Sequence, residues 1–391
     1  MAGIPTNPMA PPGAAPATEP DGAIGDRGAG VPGSRFAPAE LEGVLKQYDL
    51  GRIDSIREFT RGSAQSPKVV VAGPWGKFLV KRRAPGEDHP YQVAYCHGLQ
   101  LHLIARGFPA PALVGTREDN NSMLQMDGRV YEVSEFVEGE VFDRSVQGAR
   151  SAGGVLARFH DGAAGFQSAF HAPADFAHGD ERAEILIDRC LDRFGSGLDE
   201  SGSPEGAGLR AGALLDRVRA LWRRAVAELD HAGIAAWPRD VLHADWHPGN
   251  LVFAGGTIRA VLDYDSCRRG PRLFDLAAGA LNFSILGGER SPADPMAARP
   301  PDPLRWPEHP DEGRARAFLA GYQEERPRLS EAERSALAPA MAGAMILESL
   351  PPVASTGAFA GIPGLAFLDM VRRKAGWLLE HAREVAGYAG G

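Results

Sequence analysis

Lysine is scarce in this chain. Only five of its 42 basic side chains are Lys, at positions 46, 68, 77, 81 and 374, and the rest are Arg. A functional ammonium group therefore has few candidates. Cysteine is scarcer still. The three, Cys96, Cys190 and Cys267, are odd in number and form no CxxC pair. That excludes a disulfide framework and points to a reducing compartment. Positive charge is lacking overall, at a formal −8. A nucleic-acid surface needs a basic field, so that class is set aside. No apolar run reaches the ~18 residues of a membrane span. The N-terminus shows no basic stretch followed by an apolar core, as a secretory signal would. The expected setting is the cytoplasm, with neither membrane nor nucleic acid as partner.

The 391 residues suffice for one large domain or two lobes, and 44% hydrophobic content is enough to bury a core. Residues 1–36 ("MAPPGAAPATEPDG", "RGAGVPGS") have no apolar period and are expected to be a disordered tail. Order is expected from "APAELEGVLKQYDLG", a helix with Leu41, Val44, Leu45 and Tyr48 on one face and Gly51 as its stop. Strands follow in "IDSIREFT", "KVVVAG" and "GKFLVKRR". A helix is expected in "YQVAYCHGLQLHLIARG", then strands in "ALVGTR", "SMLQM" and "RVYEVSEFV". After Gly139 the pattern turns helical, interrupted by two strands, "DVLHADWHPGNLVF" and "IRAVLDYD", joined through Ala254, Gly255 and Gly256. A Pro-rich insertion lies near 288–312. The expected class is α+β, with a strand-rich lobe over 37–138 and a helical lobe over 139–391.

The chemistry concentrates in "HADWHPGN", His243 to Asn250, with Asp263 thirteen residues past Asn250 at the end of an apolar strand. Pairing of the two strands as a hairpin brings Asn250 and Asp263 together, with Asp245 in the loop before them. Phosphoryl transfer wants this set. One carboxylate orients the acceptor hydroxyl and takes its proton, and hard oxygen ligands hold Mg²⁺ against the phosphates. A rival reading is a metal-dependent hydrolase, with His243, Asp245 and His247 alternating on one strand face.

HxDxxxxN followed by an apolar strand ending in Asp resembles the aminoglycoside phosphotransferase/choline kinase-like family. "RVYEVSEFVEGEVFD", "GGVLARFHDGA", "GPRLFDLA" and "FLAGYQEERPRLSEAE" extend the resemblance over most of 38–391, the last toward homoserine-kinase-like, spore-coat and stress-response branches. The resemblance implies a protein-kinase-like bilobal fold. It also implies ATP and Mg²⁺ as cofactors and the hydroxyl of a small molecule as acceptor: an amino alcohol, an aminoglycoside or a homoserine-like compound. Position by position, it makes Asp245 the catalytic base, and Asn250 and Asp263 the Mg²⁺ ligands. Asp275 becomes the brace of the catalytic loop and His243 a structural residue. Lys81 would pair with the α- and β-phosphates, Gly62 and Ser63 would cover them, and the backbone of Glu135 to Val137 would meet adenine.

Three departures stand out. The N-lobe helix carries no Glu to pair with Lys81 and offers Gln92, His97 and Gln100 instead. So a polar residue substitutes, or Lys81 is held differently. The loop "RGSAQSPK" lacks GxGxxG. Ala244 stands where kinase H-R-D loops have Arg, which removes control through an activation-loop phosphate. The missing Glu motivates a second reading, a non-catalytic nucleotide-binding pseudokinase. A third is a protein Ser/Thr kinase, for which the eleven residues between Asp263 and Asp275 are a short peptide platform. Among the remaining polar residues, His247 is expected to stabilise a turn and His160 to cap its helix. Asp265 reads equally as a third ligand or a surface residue. Lys77 is the runner-up to Lys81. Asp180, Glu181, Glu184 and Asp188 read as a solvated face that could also meet an amine.

Overall fold

The computed structural model describes residues 35–59, 65–170, 172–176, 178–179, 181–195, 204–287 and 302–390. Gly62, Ser63, most of the 1–36 segment and the first part of the Pro-rich insertion lie outside the described residues.

The first helix, α1 (Pro38–Leu45), ends before Gly51 because Tyr48 leaves it to bridge Thr116. Strands β1 (Ser55–Phe59), β2 (Lys68–Gly73) and β3 (Gly76–Arg82) follow as successive antiparallel neighbours. Helix α2 (Pro90–Ala105) carries Pro at its start, where a missing N–H costs nothing, and the chain turns away through Gly107 at φ 77°. Strands β4 (Leu124–Met126) and β5 (Arg129–Glu135) complete a sheet of order β1-β2-β3-β5-β4. The strand expected in "ALVGTR" is reduced to isolated bridges at Leu113 and Thr116. Pro109 and Pro111 precede it, and the amides of Asn120 and Asn121 turn back to Thr116.

Side chains alternate across this sheet, and the two faces do different work. Val69, Val71, Val80, Tyr131 and Val133 pack with Val44, Tyr48 and Leu50 into a small core. The opposite face carries a polar row in register: Lys68 opposite Lys81, and Lys81 opposite Glu132.

The second lobe contains α3 (Val146–Ala163), α4 (Arg182–Gly195) and α5 (Pro204–His231). Next come β6 (Asp240–Leu242), β7 (Leu251–Ala254), β8 (Thr257–Val261), β9 (Arg268–Gly270), α6 (Leu273–Ser284), α7 (Glu312–Glu325) and α8 (Glu331–Thr356). A minimal β10–β11 hairpin (Ala358–Phe359, Ile362–Pro363), α9 (Gly364–Glu380) and α10 (Ala382–Ala386) close it. Helices α3 and α7 approach unusually closely. A Cβ on Gly153 would sit 1.9 Å from the Phe318 carbonyl oxygen, and one on Gly321 would sit 2.1 Å from that of Arg150. Helix α8 opens on a capping box between Ser330 and Glu333 and runs through Pro351 and Pro352 to Gly357. By length and composition it could cross a membrane, but 67% of that stretch is buried inside the protein, which makes it a core helix.

Between the lobes, Glu140 pairs with Phe253, exchanging backbone bonds of 2.8 and 2.9 Å. The connection is thus pinned to β7. The expected hairpin is β7–β8, with Leu251 opposite Val261. A second pair, β6 with β9, was not expected and frames the segment between Leu242 and Leu251 from below.

Candidate active site

Strand β6 stops at Leu242, so His243, Asp245 and His247 do not alternate on a strand. Ala244 adopts φ 60°, a left-handed conformation that a non-Gly residue holds only when its surroundings enforce it. Asp275, buried at the start of α6, supplies that enforcement. Its Oδ2 accepts from the His243 amide at 2.8 Å and its Oδ1 from the Ala244 amide at 2.8 Å. His160 Nε2 lies 3.0 Å from the same carboxylate, and its Nδ1 lies 2.9 Å from the Tyr322 hydroxyl. So His160 tethers α3 and α7 to the brace rather than capping its helix. His243 is buried, with Nε2 3.0 Å from the Leu262 carbonyl.

This loop presents Asp245. The Asn250 amide nitrogen donates to its Oδ2 at 2.7 Å and to its carbonyl at 3.0 Å. That leaves the Asn250 amide oxygen to face elsewhere. Burial alone would raise the Asp245 pKa, but the hydrogen bond and charge of His247, and the charge of His243, outweigh it and hold the carboxyl below its usual value. Asp245 is therefore ionised. His247 does two things. Its Nδ1 accepts from the Gly249 amide at 3.0 Å, the turn role expected of it, and its Nε2 faces Asp245 at 3.5 Å. Burial disfavours the charged imidazole, yet Asp245 raises its pKa on balance. Glu348 of α8 faces this pair. It is exposed, and crowding by the surrounding protein together with the Asp245 charge pushes its carboxyl up to about 7.

Asp263 also has φ 60°. Its Oδ1 is 3.1 Å from Lys81 Nζ. Asp265 Oδ2 is 2.5 Å from that nitrogen and Glu132 Oε1 is 3.6 Å. Lys81 is thus no solvated strand end. Burial would deprotonate it, but the three carboxylates outweigh burial and keep it an ammonium. Asp263 is held well below the usual carboxylate range, burial being overcome by Lys81 and Lys68. Asp265, left open between ligand and surface residue, is half-buried and ion-paired with both Lys81 and Arg83. Lys77 pairs with Glu138 at the rim and stands apart from this cluster. At the connection, the Glu135 amide donates to the Ala112 carbonyl at 2.8 Å and the Phe136 amide to Lys77 at 2.9 Å. Among the described residues the Val137 amide has no such partner.

Sequence reasoning gave Lys68 no role beyond its place among the few lysines, and it missed Arg83, Glu132 and Glu348. Only Glu132 left a signal, an acid in the middle of the apolar strand "VYEV". Two of the acidic residues thought able to meet an amine are otherwise engaged, Glu184 with Arg219 and Arg223 and Asp188 with Arg219, while Glu181 is exposed. Asp180 lies outside the described residues.

The profile of the phosphotransferase enzyme family matches residues 55–332. The chain belongs to this family. It is a kinase, a phosphotransferase with a hydroxyl as acceptor. A homoserine kinase from Nitrobacter winogradskyi is 28% identical over 314 residues, covering 77% of this chain and 79% of its own. The microcompartment-associated aminopropanol kinase shares the fold with a TM-score of 0.63 at 16% identity, over 88% of this chain and 98% of its own. An aminoglycoside phosphotransferase from Alicyclobacillus acidocaldarius does so with a TM-score of 0.59 at 16% identity, over 93% and 99%. The bilobal kinase-like fold expected of this family member is the one observed.

Proposed function

We propose that this enzyme is a cytoplasmic, ATP- and Mg²⁺-dependent kinase that phosphorylates the hydroxyl of a small amine-bearing molecule, an amino alcohol or a homoserine-like compound. The lobes divide near 138/139 in this reading. The observation that carries it is the Asn250–Asp245 bond. It keeps the base aimed, and it frees the Asn250 amide oxygen to act beside Asp263 as a hard donor. The donor set fits a divalent cation. Asp263 is ionised, and in the structure the Lys81 ammonium already sits against it as a cation would. Bound there with ATP, Mg²⁺ would neutralise charge on the β- and γ-phosphates.

The residues of this chain do the rest. Asp245 accepts the proton of the acceptor hydroxyl as its oxygen bonds to the γ-phosphorus and the bond to the β-phosphate oxygen breaks, releasing ADP. Lys81 supports the phosphates. Lys68, opposite Lys81 on the same face, is a second cation there, since like charges paired across a ladder are costly unless an anion lies between them. The Val137 amide is the donor left for adenine. The segment between Asp263 and Asp275 is occupied by β9 and the start of α6, which favours a small acceptor over a peptide.

Glu348 supports the amine. The relatives are named for homoserine and aminopropanol, both of which carry an amine beside a hydroxyl. A carboxyl near 7 is neutral at pH 6 and anionic at pH 8, whereas an alkyl ammonium stays charged throughout. The apparent affinity for an amine-bearing acceptor should therefore rise as pH passes through 7. Glu348→Gln should flatten that rise. An identical pH profile in the variant would remove Glu348 from acceptor binding.

A further inference from the structure

The kinase-like fold ordinarily joins its strand lysine to a glutamate on the N-lobe helix, and placing that helix switches the pair on or off. Helix α2 carries no Glu. The structure supplies the carboxylate from the sheet instead. Glu132 lies directly across the β3–β5 ladder from Lys81, so backbone pairing sets the distance between them.

Its two oxygens are divided. Oε2 accepts from Arg83 Nε at 2.9 Å and Nη2 at 2.8 Å, and from His97 Nε2 at 2.8 Å. Oε1 is left facing Lys81. Arg83 treats Asp265 the same way, taking Oδ1 at 2.8 Å while Oδ2 faces Lys81. One guanidinium thus turns one oxygen of each carboxylate toward itself and the other toward the lysine. Helix α2 adds two links among the described residues: His97 to Glu132, and Cys96, whose Sγ lies 3.9 Å from the Asp265 carbonyl oxygen. The ionised Glu132 carboxylate brings no proton to its bond with His97 Nε2, so that nitrogen donates, and Nδ1 lies 2.9 Å from the Ser122 hydroxyl.

We propose that Glu132, aimed by Arg83 and His97, is the positioning residue for Lys81 in place of a helix glutamate, so that the carboxylate of the lysine clamp comes from the sheet and α2 only orients it. The inference rests on the Mg·ATP reading for its purpose. When Asp263 turns to the metal, Lys81 keeps Glu132 and Asp265 and stays where the phosphates need it.

Two readouts test it. The first needs no nucleotide: acylation of Lys81 by acetic anhydride at pH 9, followed by peptide mass spectrometry with exposed Lys46 as internal reference. Glu132→Gln removes one of the three carboxylate contacts that hold the amine in place, so Lys81 should label at least about tenfold faster. The second is kinetic. Turnover should fall about 100-fold while Mg·ADP binding changes little, because the lysine is misplaced by a fraction of its reach rather than lost. The exchange variant, Glu132→His with His97→Glu, returns a carboxylate to the same cavity and should restore slow labelling and part of the turnover. Unchanged labelling and turnover in Glu132→Gln would overturn the proposal. Should that variant not fold, the exchange variant decides. Lys81 protected as in the parent supports the clamp, and Lys81 as reactive as Lys46 overturns it. A parent protein that bound no Mg·ATP would refute the nucleotide reading separately, whatever the labelling showed.

Discussion

Asp245→Asn should lower turnover by about 10²- to 10⁴-fold, the range general-base catalysis contributes, while Mg·ADP binding is kept. The change preserves shape and the contact with Asn250, which donates to Oδ2 at 2.7 Å in the parent. It removes the one property that matters, a charge able to take a proton. The carboxylate is poised for that task because His247 and His243 offset its burial and hold its pKa below the usual value. The loss should therefore appear in kcat, with the Michaelis constant for ATP moving by less than about threefold. Steady-state kinetics together with calorimetry of ADP check this. Full activity of the variant would remove Asp245 from the chemistry.

Asp275→Ala should be the most damaging single change to the catalytic loop. The carboxylate is 1% exposed and serves three groups at once: two loop amides and the His160 ring. Truncation leaves all three without that partner in a site with no room for bulk water. Each unsatisfied group costs about 1–3 kcal/mol, so a total of about 3–5 kcal/mol is expected. The left-handed turn at Ala244 loses its only clamp from α6, so Asp245 should wander and activity fall with stability. At roughly 2–4 °C per kcal/mol, the melting temperature should drop by about 10 °C. A shift under about 2 °C by differential scanning fluorimetry would show that the loop holds its conformation without the brace.

What could be read from the chain alone was local. "NLVF", "IRAVLD" and the two glycines between them specify a two-stranded ribbon. Ribbon geometry then forces Asn250 and Asp263 to one end, so the nearness of the polar set to itself was legible. The α2 helix was legible too, from the run "YQVAYCHGLQLHLIARG" and the Gly107 that ends it. The holding of Lys81 was not. Strands β3 and β5 are neighbours in the sheet but not in the chain, with α2 and β4 intervening. Register between such strands is decided by packing rather than by any turn. Glu132 and Arg83 therefore read as an unexplained acid and a basic strand end. Glu348 was hidden likewise, since its place beside Asp245 depends on how α8 packs across the lobe. His160 read as a cap because helix ends are where sequence rules are strongest, whereas its partners Asp275 and Tyr322 arrive from two other helices.

The most direct test is ³¹P NMR of the purified protein with Mg·ATP and a panel of amino alcohols, homoserine, aminoglycosides and neutral sugars. The expected result is a phosphate monoester signal on an amine-bearing alcohol, growing in step with ADP and absent with Asp245→Asn. ADP formed with no ester on any acceptor, or the same ester formed by the variant, would contradict it.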